Sequence, residues 1–143
     1  TGARPEGSVM SKDGKRLYVC NRDAAHISVI DTAKLAVIKT IKTRPGPVRI
    51  ALTPDQRHVV YGLLDERGVE WADTLTGEIA GHVPLPAALG QIVSLHLSHD
   101  GHTAYAANEN MDTVYAVSLK DKKIQHSFKT AKGYSPDPVV PKP

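Results

Sequence analysis

The chain has 143 residues, of which 41% are apolar and 23% charged, a composition suited to one globular domain with its own core. Its excess charge is only +3, from 18 basic and 15 acidic residues interspersed along the sequence, so the concentrated basic face of a nucleic-acid binder is not expected. The one cysteine, Cys20, excludes an intrachain disulfide and a cysteine zinc cage, and no apolar run is long enough for a membrane-spanning helix.

The chain opens Thr1-Gly2-Ala3-Arg4-Pro5, which reads as a processed or trimmed terminus with no visible signal peptide. From there the sequence predicts twelve short strands. The first four cover 8–11, 16–20, 27–31 and 35–41. The next four cover 48–52, 58–63, 68–73 and 78–83, and the last four 92–97, 103–107, 113–118 and 123–128. They are rich in Val, Ile, Leu, Tyr and Thr, which suit pleated sheet. Asp13-Gly14, Asp100-Gly101 and Thr76-Gly77 mark tight turns between them, while Asp55-Gln56 is a weaker signal. No stretch keeps a 3.6-residue period. The run from Asp31 to Thr40 is too rich in β-branched residues for helix.

The strands fall into repeats opened by Asp13, Asp55 and Asp100, spaced 42 and then 45 residues apart. Five residues after each origin stand Tyr18, Val60 and Tyr105, and eight after it Asn21, Leu63 and Asn108. Asp31, Asp73 and Ser118 share offset 18, and Ile41, Val83 and Phe128 offset 28. A period of this size filled with strands is that of propeller blades.

These residues resemble the YVTN-type β-propeller repeat. The tetrapeptide stands as Tyr18-Val19-Cys20-Asn21 and, more loosely, Tyr105-Ala106-Ala107-Asn108. The turn before it resembles the family's Ser-Pro-Asp-Gly at Ser11-Lys12-Asp13-Gly14, Thr53-Pro54-Asp55-Gln56 and Ser98-His99-Asp100-Gly101. Ile30-Asp31-Thr32 matches its closing Ile-Asp-Thr, and Ala72-Asp73-Thr74 echoes it. The middle unit departs from the pattern, with Tyr61-Gly62-Leu63-Leu64 out of register. The resemblance covers about residues 5–130. It implies seven-bladed rings and an extracytoplasmic, periplasmic or secreted, location, and leaves the role open.

The expected fold is all-β: three four-stranded antiparallel propeller blades over residues 5–43, 47–85 and 92–130, then a Pro-rich extended tail over 131–143. In repeat register Pro138 matches Pro5 and Pro47, where another blade would start. Propellers carry four to eight blades. A three-blade array is therefore a partial propeller with two uncovered faces. Closure is expected from self-association, for example a dimer forming a six-bladed ring, or from the remaining blades of a longer chain.

The loops between second and third strands lie on the side where propeller ligands sit. They place Asp23, Asp65 and Asn110 at one repeat offset, with His26, Glu66 and Glu109 beside them, as a candidate ligand rim. Exposed turn chemistry is the simpler account of these loops. Their oxygens suit Ca²⁺ or Mg²⁺, although no cofactor is expected. His96, His99 and His102 straddle a strand and a turn without converging. No catalytic order of Ser, His and Asp or of Cys and His is recognisable, and no phosphate loop. Cys20 is expected to be a buried small apolar group and Trp71 to pack between blades. The expected function is a non-catalytic binding or assembly module for a protein partner or small ligand. The alternative is part of a propeller enzyme, lactonase-like or a quinone- or haem-linked oxidoreductase, although haem-attachment Cys-x-x-Cys-His is missing.

Overall fold

Each aspartate-opened repeat folds as a sheet of four consecutive strands. The computed structural model describes residues 1–86 and 92–131; most of the expected tail lies outside them. The first sheet runs β1 (Pro5–Met10), β2 (Arg16–Asn21), β3 (His26–Asp31) and β4 (Ala36–Lys42). The second runs β5 (Pro47–Leu52), β6 (His58–Leu63), β7 (Gly68–Asp73) and β8 (Ile79–Pro84). The third runs β9 (Ile92–Leu97), β10 (Thr103–Asn108), β11 (Thr113–Ser118) and β12 (Lys123–Lys129). All pairings are antiparallel.

The repeated residues carry repeated turn chemistry. The Ser11 hydroxyl donates to Asp13 at 2.7 Å, and the Asp13 carboxylate accepts the Lys15 N–H at 3.1 Å. Thr53, Asp55 and Arg57 repeat this geometry, as do Ser98, Asp100 and His102. The residue after each aspartate is left-handed: Gly14 at φ +71°, Gln56 at +62° and Gly101 at +74°. Gln56 thus occupies a glycine conformation, which is why its turn was the weakest in sequence. At the β3–β4 turn Asp31 accepts from the N–H groups of Ala33 and Lys34, and Thr32 donates its hydroxyl to the Gly14 carbonyl. That pair explains the Asp-Thr of the repeat.

The first strand of each of blades 1 and 2 starts earlier than the residue types suggest. β1 begins at Pro5 rather than residue 8, with a bulge between Pro5 and Ser8. β5 repeats the bulge between Pro47 and Ile50. A proline at a strand's first position forfeits no ladder bond, and a bulge absorbs the poor strand formers that follow.

The sheets stack face to face along their inner strands β1, β5 and β9, which touch from blade to blade. Tyr18, Cys20, Ile27, Val29 and Ile41 of blade 1 meet Val59, Tyr61, Leu63 and Ala72 of blade 2. The opposite face of blade 2, Val60, Val69, Trp71 and Val83, meets Ala104, Ala106, Tyr115 and Val117 of blade 3. A central strand such as β6 is therefore apolar on both faces. Each of its fully buried valines contributes about 1.5–3 kcal/mol.

Candidate functional site at the inner strands

Backbone bonds gather the loops on one side of the array. Thr43 N–H donates to Ala25 at 3.0 Å, Leu85 to Arg67 at 2.8 Å and Thr130 to Asp112 at 2.8 Å. Each exit loop thus lies beside the turn between that blade's second and third strands. These turns carry the expected rim. Asp23 sits in the 3₁₀ turn Arg22–Ala24 and reaches the Arg22 guanidinium at 4.0 Å. His26 opens β3, with Nδ1 3.2 Å from the Ala24 carbonyl. Asp65 abuts Gly46, which has φ +82° and no room for a Cβ. Glu66 accepts a 3.0 Å hydrogen bond from Arg44. Glu109 and Asn110 lie exposed in the 3₁₀ turn Glu109–Met111. Among the described residues no hydrogen bond or ion pair joins these six to one another, and no three His, Cys, Asp or Glu side chains converge.

The polar groups that do converge belong to the inner strands and their approaches. Glu6 on β1 lies 3.6 Å from Arg4, 3.6 Å from Arg22 and 3.7 Å from Arg49 on β5. Arg49 Nε donates at 2.7 Å to the Val93 carbonyl of β9, so one side chain ties three blades together. Gly7 makes this approach feasible: a Cβ there would stand 2.4 Å from the Val48 carbonyl oxygen. The sequence signal was Arg49 itself, a charge between Val48 and Ile50, at the offset where Gly7 and Ser94 stand in the other blades.

A second cluster lies inside the interface of blades 1 and 2. Glu70 is fully buried. Its Oε1 accepts from the Tyr61 hydroxyl at 2.9 Å and the Arg44 N–H at 3.1 Å. Arg44 Nε faces Oε2 at 3.0 Å but off the hydrogen-bond line, leaving Oε2 ion-paired without a hydrogen bond. His82, the cross-strand partner of Glu70, buries Nε2 without a partner against Gly68. Burial pushes the Tyr61 phenol up, with the Glu70 charge adding to it. Burial, and then the Arg44 charge, pull His82 below its ordinary value. Cys20 is fully buried nearby, and that burial pushes its thiol far up, the reverse of an activated nucleophile. Trp71 is 4% exposed within the packing of blades 2 and 3.

Four-stranded sheets stacked radially on their inner strands define the chain as an unclosed segment of a β-propeller. Solved structures bear this out. The chain is similar to hydrazine synthase of Kuenenia stuttgartiensis, with TM-score 0.84 and 20% identity over 94% of this chain and 38% of that one. It is also similar to the β-propeller domain of Cps50 (Swd1) from Myceliophteria thermophila, with TM-score 0.76 and 14% identity over 90% of this chain and 44% of that one. At such identities the likeness is one of fold. No family model matches the chain. Uncharacterized proteins from two strains of Staphylococcus epidermidis are 26% identical over 153 aligned residues, 87% of this chain. The chain spans only 45% of their length.

Proposed function

We propose that these three blades are part of a closed YVTN-type propeller acting outside the cytoplasm as a non-catalytic binding module. The observation that supports this reading is the repeat register of the two end faces. Tyr105, Ala107, Val114, Ala116 and Phe128 of blade 3 stand at the offsets by which blade 1 presents Tyr18, Cys20, Ile27, Val29 and Ile41 to blade 2. Leu17, Val19 and Ile30 of blade 1 stand at the offsets of Val59, Tyr61 and Ala72, which blade 2 turns to blade 1. Phe128 is 51% exposed, and Met10, in register with Leu17, is 53% exposed. Both faces are shaped for another blade, and the greater length of the staphylococcal relatives favours blades of the same polypeptide. A second copy supplying a six-bladed ring is the alternative source.

Mass in solution tests this. The 15.4 kDa chain by itself is expected to associate through these faces, and Phe128→Glu to disperse it. A polypeptide carrying further blades is expected to stay monomeric. A compact 15.4 kDa monomer that binds no apolar dye would sink the reading. Elemental analysis separates it from an enzymatic one: a stoichiometric metal in the purified protein would favour the enzyme.

A further inference from the structure

Arg49 borders two cavities. A small one of about 40 Å³ is lined by Glu6, Arg22, Arg49 and apolar side chains. A larger cleft of about 380 Å³ runs past Gly7, Ile50, Leu95 and His96. Arg49 and Val93 line both. Glu6, Arg22 and Arg49 therefore line a hole large enough for a small polar group, Arg49 also borders a cleft large enough for a small molecule, and Arg4 stands 3.6 Å from Glu6.

The charges there do not saturate one another. Glu6 stands 3.6–3.7 Å from all three arginines, beyond hydrogen-bond reach. Each guanidinium carries five N–H donors. Among the described residues, the guanidiniums of Arg4 and Arg22 make no hydrogen bond, and Arg49 makes one, to Val93. Asp23, at 4.0 Å from Arg22, adds one more negative charge at the edge, which leaves the cluster positive. Fork-shaped donors left open beside a cleft match a planar or tetrahedral oxyanion.

We propose that Arg22 and Arg49, with Arg4 at the rim, form a binding site for the carboxylate or phosphate group of a small ligand. The ligand's body lies in the larger cleft against Ile50 and Leu95. Glu6 occupies the oxyanion's place, holding the arginines together and competing with the ligand. The inference rests on the binding-module reading, but not on how the ring closes, because every residue involved lies in this chain.

The test is thermal unfolding and calorimetric titration with inorganic phosphate in one arm and succinate in the other, against sodium chloride at equal ionic strength. A saturable response to phosphate or succinate, absent with chloride, is expected, and the stronger arm identifies the group. Arg49→Gln should weaken binding about tenfold or more. Arg4→Gln, at a more exposed position, should weaken it less while sparing the fold. Glu6→Gln is decisive. Removing the competing carboxylate should tighten anion binding several-fold, whereas a purely structural ion-pair network would only lose stability. No saturable response in either the parent or Glu6→Gln overturns the site. If the association behaviour still holds, the binding-module reading survives that failure.

Discussion

The Tyr61 hydroxyl lies 2.9 Å from Glu70, its cross-strand partner, and both are wholly buried where blade 2 meets blade 1. A buried carboxylate is tolerated only while its partners hold. Tyr61→Phe removes one of two hydrogen bonds to Oε1 with little change of shape and is expected to cost about 1–2 kcal/mol. Arg44→Ala should also destabilise, since it leaves Oε2 with no counter-charge. Urea unfolding of both variants checks this. A neutral Tyr61→Phe would mean the contact carries no stability.

His82 predicts a pH dependence. Its folded-state pKa is depressed below the ordinary 6.5, first by burial and then by Arg44, against smaller opposing effects of Glu70 and Glu66. Protonation therefore favours the unfolded chain. The contribution is complete above pH 6.5 and is lost as the pH falls below it toward the folded-state value. Melting followed from about pH 8 to 5 should show this decline, and His82→Leu should flatten it. An unchanged profile in the variant would assign the decline elsewhere.

A separate acid limb belongs to the turns. Asp13, Asp55 and Asp100 are held below the ordinary 3.8, first by the hydroxyls of Ser11, Thr53 and Ser98 and then by backbone N–H groups. Their stabilisation is present above pH 3.8 and disappears as the pH falls through the depressed folded values. Thr53→Ala is expected to cost about 1 kcal/mol at neutral pH and to shrink this limb. The Asp55 carboxyl, followed by NMR titration, should move up toward its ordinary value.

Leu35 sits at φ +52° with its side chain 85% exposed, at the offset where blade 2 has Gly77 at +82°. A branched residue is strained in this region and gains no burial in return. Leu35→Gly is expected to stabilise by about 0.5–1 kcal/mol, read as a higher unfolding midpoint. A lower midpoint would show that Leu35 has a contact worth more than its strain.

Gly81 lies under the indole of Trp71, and a Cβ there would stand 2.1 Å from the ring carbon Cζ2. The ring is wedged between blades 2 and 3. Gly81→Ala should therefore destabilise by about 1–3 kcal/mol and shift tryptophan emission. Unaltered emission would show that the indole is not confined.

The sequence by itself determined the sheets. Strand length, β-branched content and the Asp-Gly turns are local properties. A repeat multiplies the evidence: the turn at Gln56, ambiguous alone, is secured by Gly14 and Gly101 at the same offset. Sequence also placed Cys20 and Trp71 in the interior, since their positions share offsets with apolar residues in sister blades. Only the tertiary structure decided which polar residues meet. The candidate rim was chosen by loop position, yet the charges that converge sit on strands or at loop ends, at Glu6, Arg22, Arg49 and Glu70. Glu6 and Arg49 are 43 residues apart in the chain, and they become neighbours because Gly7 lets β1 close on β5. Such contacts depend on how sheets stack, and stacking depends on volumes and close approaches between residues distant in sequence, which no local pattern encodes.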